Sequence, residues 1–153
     1  SLIEDSEGPG KFRGGLGMRR DYHFPNDAAT FTVLSDRDLE GPKGIFGGMS
    51  GRKAYYILNP DDSKRTKTEL SSKCVIELKP GDTVSFQTPG GGGYGSPLER
   101  DPERVLEDVT LGKINFKRAR ECYGVIIDNL TNDVDKSATK RLREQINKSR
   151  SSH

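Results

Sequence analysis

Short runs of alternating hydrophobic and polar residues dominate the first ninety positions. Met18, Tyr22 and Phe24 lie on alternate positions, opposite the polar Arg19 and Asp21. Side chains of an extended chain point alternately to its two faces, so this pattern predicts a half-buried β-strand. Further strand-like runs occupy residues 29–34, 53–58, 73–78 and 83–88. The pattern predicts a mainly β domain of six or seven short strands.

Turn-forming residues between these runs indicate which strands pair. Residues 25–27, Pro-Asn-Asp, favour a hairpin between the first two runs. Residues 59–64 carry strong turn chemistry and predict a hairpin between 53–58 and the polar segment 65–70. Residues 80–82, Pro-Gly-Asp, predict a hairpin between the last two runs. The expected architecture is antiparallel, and a sandwich and a barrel-like domain are equally compatible with it.

Helical signals replace strand signals after Pro97. Asp101 is suited to cap a helix that begins with Pro102, and residues 115–122 have apolar positions at helical spacing. Residues 123–127 are apolar enough to predict a final buried strand, and Asp135 is suited to cap a last helix over 136–147.

These assignments divide the chain into a β-rich domain, residues 1–128, and a C-terminal helix with a frayed tail, residues 129–153. The fold class expected is therefore mainly β with small C-terminal helices. We expect fraying from Ser149 to His153 because the last turn of a chain is seldom tied down.

Composition narrows the function classes. The chain has 153 residues, of which 31% are hydrophobic and 31% charged, with a net charge of +2. This length suits one domain, and so small a charge argues against a nucleic-acid partner. No apolar run approaches the roughly 18 residues needed to cross a bilayer. The start of the chain lacks the basic and apolar regions of a signal peptide, so we expect no membrane partner and a cytoplasmic location.

Metal-ligating residues are scarce. The only cysteines are Cys74 and Cys122, which are far apart, and the only histidines are His23 and His153. Transition-metal sites require several such ligands in characteristic spacings. We therefore expect neither a metal site nor a histidine-based catalytic centre within this chain, and we name no catalytic or cofactor-binding residue.

The run of residues 88–95, Thr-Pro-Gly-Gly-Gly-Gly-Tyr-Gly, is the strongest local signal. Gly90, Gly92 and Gly95 match G-x-G-x-x-G, but Pro97 follows and no helix opens there, which disfavours dinucleotide binding. A phosphate-binding P-loop is disfavoured more strongly, because no Lys-Ser or Lys-Thr pair follows the glycines. Glycine clusters permit close backbone approach, so this loop is expected to press against a neighbour.

Two interpretations of that neighbour remain open. In the first, the loop packs against other parts of the protein, with Tyr94 anchoring it to the core. Ile45, Phe46 and Met49, in a further glycine-rich loop, are likewise expected to be buried. In the second, backbone N–H groups and arginines bind an anionic intermediate in a composite active site. The candidate contact residues are Gly90, Gly91, Gly92, Gly93, Tyr94, Arg13, Arg19 and Arg37.

The order and spacing of several motifs resemble the C-terminal part of the hydantoinase B family. These motifs occupy residues 8–15, 35–37, 44–48, 78–82, 88–95, 97–102, 119–125 and 134–139. That family includes the B-type chains of hydantoinases, the matching half of 5-oxoprolinases, and subunits of acetone and acetophenone carboxylases. The resemblance implies ATP and a divalent metal for the complete enzyme. The partners that it implies are larger A-type and B-type chains or the larger N-terminal part that family members have.

The resemblance leaves three functions to compare. The first is a structural and interface part of an ATP-dependent enzyme that hydrolyses cyclic amides such as hydantoin or oxoproline. The second is a small or split subunit of an ATP-dependent ketone carboxylase. The third is a stand-alone, non-catalytic binding module, for which an exposed apolar patch would be evidence. Family members have several hundred residues, so this chain is either a piece of a longer protein or a natural split subunit.

Overall fold

The computed structural model describes residues 1–128 and 130–151. Six antiparallel strands lie within the first ninety residues, as the alternation predicts, and three helices follow. The strands are β1 (Arg19–Phe24), β2 (Ala29–Leu34), β3 (Tyr55–Leu58), β4 (Thr68–Glu69), β5 (Lys73–Leu78) and β6 (Asp82–Gln87). The helices are α1 (Pro102–Thr110), α2 (Phe116–Tyr123) and α3 (Lys136–Ser151), with a single 3₁₀ turn at Pro97–Glu99 before them.

Strand pairing differs from the sequence prediction at two of the three expected hairpins. β1 pairs with β6, and β2 pairs with β5, so neither the turn at 25–27 nor that at 80–82 joins paired strands. Each of these turns carries the chain from one sheet to the other. The third hairpin, between β3 and β4, is confirmed. The result is a four-stranded sheet in the order β1-β6-β3-β4 and a two-stranded sheet of β2 and β5.

The two sheets share one apolar core. Val33 of β2 is buried with Tyr56 of β3, and Phe31, Cys74 and Phe86 pack around them. The rings of Tyr56 and Phe86 meet edge to face with centroids 4.9 Å apart, a favourable aromatic geometry. The sheets therefore form two packed layers, and the narrower sheet covers only part of the wider one.

Polar side chains cap the starts of α1 and α2, and the cap predicted at Asp101 is one of them. The Asp101 side chain accepts a hydrogen bond from the N–H of Glu103 at the start of α1, and Asn115 accepts one from Arg118 at the start of α2. Gly124 follows the last residue of α2, and its φ of +63° is a left-handed conformation that favours glycine. A second apolar core joins α1 and α2, with Val105, Ala119 and Tyr123 fully buried.

The strand predicted at residues 123–127 is absent from the described structure. Tyr123 is the last residue of α2, and Val125 is buried in the helical core rather than in a sheet. Only an isolated bridge between Ile127 and Val134 forms here. A short apolar run carries no information on whether its burial partner is a strand or a helix, which explains the wrong prediction.

α3 is tied to the preceding part of the chain by hydrogen bonds. The Thr139 hydroxyl accepts the N–H of Ile126 at 3.0 Å, and the Arg143 guanidinium donates to the carbonyl oxygens of Tyr123 and Arg100. The helix continues past residue 147, where the sequence predicted its end, to Ser151. The rest of the predicted frayed tail, residues 152 and 153, lies outside the described residues, and the domain division at residue 128 stays a prediction.

Candidate functional site on three glycine-rich loops

Three glycine-rich loops meet beside the end of β6. We call them loop 1 (residues 6–17), loop 2 (residues 41–52) and loop 3 (residues 88–95). Their backbones are linked by hydrogen bonds: Gly8 N–H donates to the Gly91 oxygen at 2.7 Å, and Ile45 N–H donates to the Gly93 oxygen at 2.9 Å. Met49 N–H donates to the oxygen of Pro9 at 2.7 Å, which closes the set. Loop 3 therefore lies between the other two.

Glycine is required where these backbones touch. A Cβ atom on Gly92 would lie 2.2 Å from the carbonyl oxygen of Lys43, and one on Gly14 would lie 2.0 Å from that of Gly91. Both distances are shorter than any tolerated carbon–oxygen contact, and both neighbours are backbone atoms that cannot move independently. The neighbour against which loop 3 presses is thus the protein's own chain.

Most N–H groups of loop 3 are already engaged. Those of Gly90, Gly91, Gly93 and Tyr94 donate to the carbonyl oxygens of residues 52, 15, 49 and 12, at distances from 2.9 to 3.0 Å. Within residues 1–128 and 130–151, only Gly92 of this tetraglycine run has an N–H without an acceptor. A backbone anion site needs several convergent N–H groups, so in this conformation the loop does not offer one.

Aromatic side chains project outward from the linked loops. Phe12 of loop 1 is 59% exposed, Phe46 of loop 2 is 77% exposed, and Tyr94 of loop 3 is 47% exposed. The Tyr94 ring lies 5.2 Å from that of Phe46 and 6.2 Å from that of Phe12, measured between centroids. Ile45 and Met49 are exposed beside them. We call these five residues the aromatic surface.

The aromatic surface corrects two burial predictions. Ile45, Phe46 and Met49 were expected inside, and Tyr94 was expected to anchor its loop to the core, yet all four side chains are exposed. The reason is that backbone hydrogen bonds join the loops to one another, which leaves these apolar side chains free to face outward. Hydrophobic side chains gathered on a protein surface commonly mark an interaction site.

Phe46 is held outward by an unusual backbone. Its φ is +51°, and Gly47 follows with a φ of +89°. Gly48 N–H donates to the Ile45 oxygen at 3.0 Å across this turn, as expected for a turn with two left-handed central residues. A phenylalanine in this region costs free energy, and such strain is concentrated at functional positions.

Arg13 has a structural partner rather than a free guanidinium. Its Nε donates to Oδ2 of Asp108 at 2.9 Å, and Arg100 Nη2 donates to the same oxygen at 2.8 Å. Lys113 Nζ lies 3.4 Å from the other oxygen, Oδ1. Burial by itself would raise the pKa of Asp108, but the hydrogen bonds and charges of Arg13 and Arg100 outweigh it and lower that pKa below 3.8. This carboxylate joins loop 1 to α1.

Glu7 forms a second buried carboxylate contact that the sequence did not indicate. Its side chain is fully buried, and its Oε1 accepts from Arg118 Nε at 2.8 Å and from the Tyr123 hydroxyl at 3.1 Å. Oε2 has no hydrogen-bond partner within the described residues. Burial raises the pKa of Glu7 above 4.5, against the opposing effect of Arg118. Glu7 joins loop 1 to α2.

The other two candidate arginines lie outside this arrangement. The Arg19 side chain forms ion pairs with Asp21 and Asp61 on the outer face of β1. Arg37 is exposed, and its carbonyl oxygen accepts the N–H of Ala54. The structure therefore brings together Arg13 and residues 90–94 around the loops, while Arg19 and Arg37 belong to other surfaces.

The described residues provide no cluster of three or more His, Cys, Asp and Glu side chains that could hold a metal ion. The metal implied for the complete enzyme is therefore not assigned to any of these described residues. No helix within 1–128 or 130–151 has the length and apolarity needed to span a membrane.

Comparison with known families decides the membership of the chain. Residues 1–97 match the family model described as Hydantoinase B/oxoprolinase. The chain belongs to this family. The matched region includes all six strands and all three glycine-rich loops, so the aromatic surface lies within it.

Sequence relatives of this family member come from several organisms. An uncharacterized protein of Methanocaldococcus jannaschii is 44% identical over 94% of the chain, and this match spans 25% of that protein. The B-type subunit of a putative D-/L-hydantoinase from Pseudomonas sp. is 35% identical over 94% of the chain and 24% of its own length. The acetophenone carboxylase delta subunit of Aromatoleum aromaticum is 28% identical over 92% of the chain and 25% of its own length. The chain thus spans about a quarter of the length of these relatives.

Two solved structures share the fold. The ATP-dependent caprolactamase of Pseudomonas jessenii superposes with a TM-score of 0.74 at 30% identity, over 94% of this chain and 25% of that one. Nucleotide-free acetone carboxylase superposes with a TM-score of 0.77 at 21% identity, over 99% of this chain and 24% of that one. The latter similarity establishes the common fold alone.

Proposed function

We propose that this chain is the non-catalytic, interface-forming part of a hydantoinase B-type subunit in an ATP-dependent enzyme that hydrolyses cyclic amides such as hydantoins or oxoproline. The observation that carries the proposal is the aromatic surface, presented on loops whose backbones are fixed by one another. Exposed aromatic residues on a rigid frame are typical of interface anchors, because little conformational entropy is lost when they are covered.

The nature of the relatives supports cyclic amides as substrates. The hydantoinase subunit is more similar to this chain than the carboxylase subunit is, and the caprolactamase structure is more similar in sequence than the acetone carboxylase structure. A ketone carboxylase remains the second candidate because the acetophenone carboxylase subunit aligns over nearly the whole chain.

The arrangement of the loops favours an interface role over direct chemistry. The N–H groups of Gly90, Gly91 and Gly93 are engaged, and Arg13 is paired with Asp108. These groups therefore position the loops rather than wait for a substrate. We propose that the aromatic surface contacts the catalytic part of the B-type subunit or its larger A-type partner.

The test is a substitution of Phe46 in the complete enzyme. Phe46→Ser removes the most exposed ring of the surface without touching either core, and Leu39→Ser is its matched control because Leu39 is 85% exposed elsewhere. We expect Phe46→Ser to weaken assembly in native mass spectrometry and to lower ATP-dependent turnover of hydantoin or 5-oxoproline by about tenfold or more. Leu39→Ser should leave both unchanged.

Equal behaviour of the two variants would refute the interface, and circular dichroism of the isolated chain will show whether each variant keeps its fold. The same preparations assayed with acetone or acetophenone and bicarbonate separate the two enzyme classes. A chain that purifies from its own cells without larger chains, and without any of these activities, would instead indicate the stand-alone binding module.

A further inference from the structure

The outer edge of β1 is open beyond its first residue. β1 is the terminal strand of the four-stranded sheet. The main-chain groups of its successive residues point alternately towards β6 and away from it. Thr88 N–H donates to the Met18 oxygen, so the main-chain N–H and C=O groups of even-numbered residues point towards β6. The main-chain groups of Arg19, Asp21 and His23 point away from β6, to the open edge. In the described part of the chain, the main-chain groups of Asp21 and His23 have no partner at this edge.

The first residues of the chain already occupy the beginning of this edge. Arg19 N–H donates to the Ser1 oxygen at 2.8 Å, and the Ser1 amino group donates to the Arg19 oxygen at 3.0 Å. Leu2 and Met18 form an antiparallel bridge, and Ile3 N–H donates to the Gly17 oxygen at 2.9 Å. These contacts determine the position of a strand beside β1, its antiparallel direction and its register.

An apolar cleft lies next to the open edge. It has a volume of about 440 Å³ and is lined by Met18, Arg20, Tyr22, Phe31, Phe86 and Thr88. It exists because the two-stranded sheet covers β6 and β3 but leaves the inner face of β1 exposed, including Met18 and Tyr22. A strand added to β1 would place every second side chain on the same face as Met18 and Tyr22, over this cleft.

We propose that the free edge of β1 takes a fifth strand, antiparallel to it and continuous with Ser1 and Leu2, which places apolar side chains over the cleft. The occupant to which we commit is a polypeptide segment joined ahead of Ser1. The relatives are long enough to contain such a segment, since this chain spans only about a quarter of their length. Main-chain pairing would provide the affinity and the cleft would provide the side-chain preference.

The register makes the proposal specific. Continuing the pairing of Ser1 with Arg19, the first and third residues ahead of Ser1 lie opposite Arg20 and Tyr22, on the cleft side. The second and fourth lie opposite Asp21 and His23, and their main-chain groups bond to those residues. We therefore expect apolar residues at the first and third positions and polar residues at the second and fourth in longer members of the family.

Hydrogen exchange measured by NMR tests the strand directly. The probe is this chain with Val-Thr-Val-Thr-Val joined ahead of Ser1, and its matched control is Val-Pro-Val-Pro-Val, which keeps the valines but removes the donors opposite Asp21 and His23. We expect the amides of Asp21 and His23 to exchange about tenfold more slowly with the first extension only. The amides of Arg20 and Tyr22, which face β6, should be unaffected.

Three results would overturn the proposal. One is unchanged exchange at Asp21 and His23 with the valine–threonine extension. Another is equal slowing with the proline extension, which would show that protection does not require the N–H donors of a paired strand. The third is slowing by a free peptide of the same sequence but not by the joined extension, which would show that the edge serves a separate chain.

Discussion

The two sides of loop 1 are held by different kinds of interaction. Towards loops 2 and 3, contact is backbone against backbone, with glycines such as Gly14 where the chains touch. Towards the helices, contact depends on two buried carboxylates, Glu7 and Asp108. Contact with loops 2 and 3 should be weakened by added side-chain atoms but not by a change of charge. Contact with the helices should be weakened by a change of charge but not by a small added side chain. The same loop can therefore be loosened in two independent ways.

The two carboxylates differ from one another as well. Asp108 has three cationic neighbours, Arg13, Arg100 and Lys113, and its pKa is lowered. Glu7 has one, Arg118, and an oxygen without a partner among the described residues, and its pKa is raised. Ionised Asp108 is thus compensated by its surroundings, whereas ionised Glu7 is only partly compensated.

The largest effect is expected from Asp108→Asn. Removal of the charge leaves the buried guanidinium of Arg100 and the partly buried one of Arg13 without this counter-ion, and breaking a buried pair in this way typically costs about 3–5 kcal/mol. Urea unfolding of the isolated chain measures this loss in the free energy of unfolding. Glu107→Gln, an exposed neighbour on the same helix, is the control and should change stability by less than about 0.5 kcal/mol. Comparable losses for both variants would contradict the role of Asp108.

The second-largest loss of stability is expected from Gly14→Ala, which disrupts the contact between loop 1 and loop 3. The new Cβ would lie 2.0 Å from the Gly91 oxygen, so the loops must separate, at a cost of about 1–3 kcal/mol. Gly15→Ala is a closely matched control, because a Cβ there meets nothing within 4 Å. Urea unfolding should show a loss for the first variant and none for the second. If both lose stability equally, backbone contact between the loops is not the cause.

Glu7→Gln is expected to have a smaller effect, within about 1 kcal/mol. The amide oxygen can still accept from Arg118 and Tyr123, and the cost of burying a charge disappears together with the ion pair. The ratio of this loss to that of Asp108→Asn measures how differently the two carboxylates are compensated. A loss from Glu7→Gln as large as that from Asp108→Asn would remove the distinction.

The pH dependence of unfolding gives the most delicate comparison. The pKa of Glu7 is raised in the folded state, so the folded protein binds this proton more tightly and stability decreases as pH rises from 4.5 through the folded-state value. The pKa of Asp108 is lowered, so its contribution is present above 3.8 and is lost as pH falls through the folded-state value.

Thermal unfolding midpoints between pH 3 and pH 8 distinguish the two groups. The unsubstituted chain should lose stability as pH rises above 4.5, because folded Glu7 holds its proton more tightly than unfolded Glu7 does. Glu7→Gln has no such proton to lose, so its midpoint should rise relative to that of the unsubstituted chain. As pH falls below 3.8, the unfolding midpoint of Asp108→Asn should decrease less than that of the unsubstituted chain. Parallel pH curves for all three proteins would contradict both pKa directions.

Sequence patterns predicted where the strands lie more accurately than which strands pair with each other. The alternation at residues 18–24 and 29–34 located β1 and β2, because it depends only on which face of a strand is buried. Pairing depends on residues far along the chain, and the turn-forming residues 25–27 are as suitable for a crossover between sheets as for a hairpin. Local turn chemistry alone therefore could not have given the sheet order.

The candidate site shows the same limit. The glycines of loop 3 indicated close backbone approach, and the structure identifies the neighbours as loops 1 and 2. Glu7 lay between Ser6 and Gly8 in a loop where an acidic residue is expected to face solvent. Its partners Arg118 and Tyr123 are 111 and 116 residues away, so no local signal marked its burial.

Backbone support of the three loops has a consequence for how recognition can change in this family. The positions of Phe12, Phe46 and Tyr94 are set by main-chain hydrogen bonds and neighbouring glycines, not by the packing of their own rings. Their side chains can therefore be exchanged while the frame that presents them stays the same. Descendants of one ancestral chain could acquire different binding partners through a few surface replacements, without any change in how the domain folds.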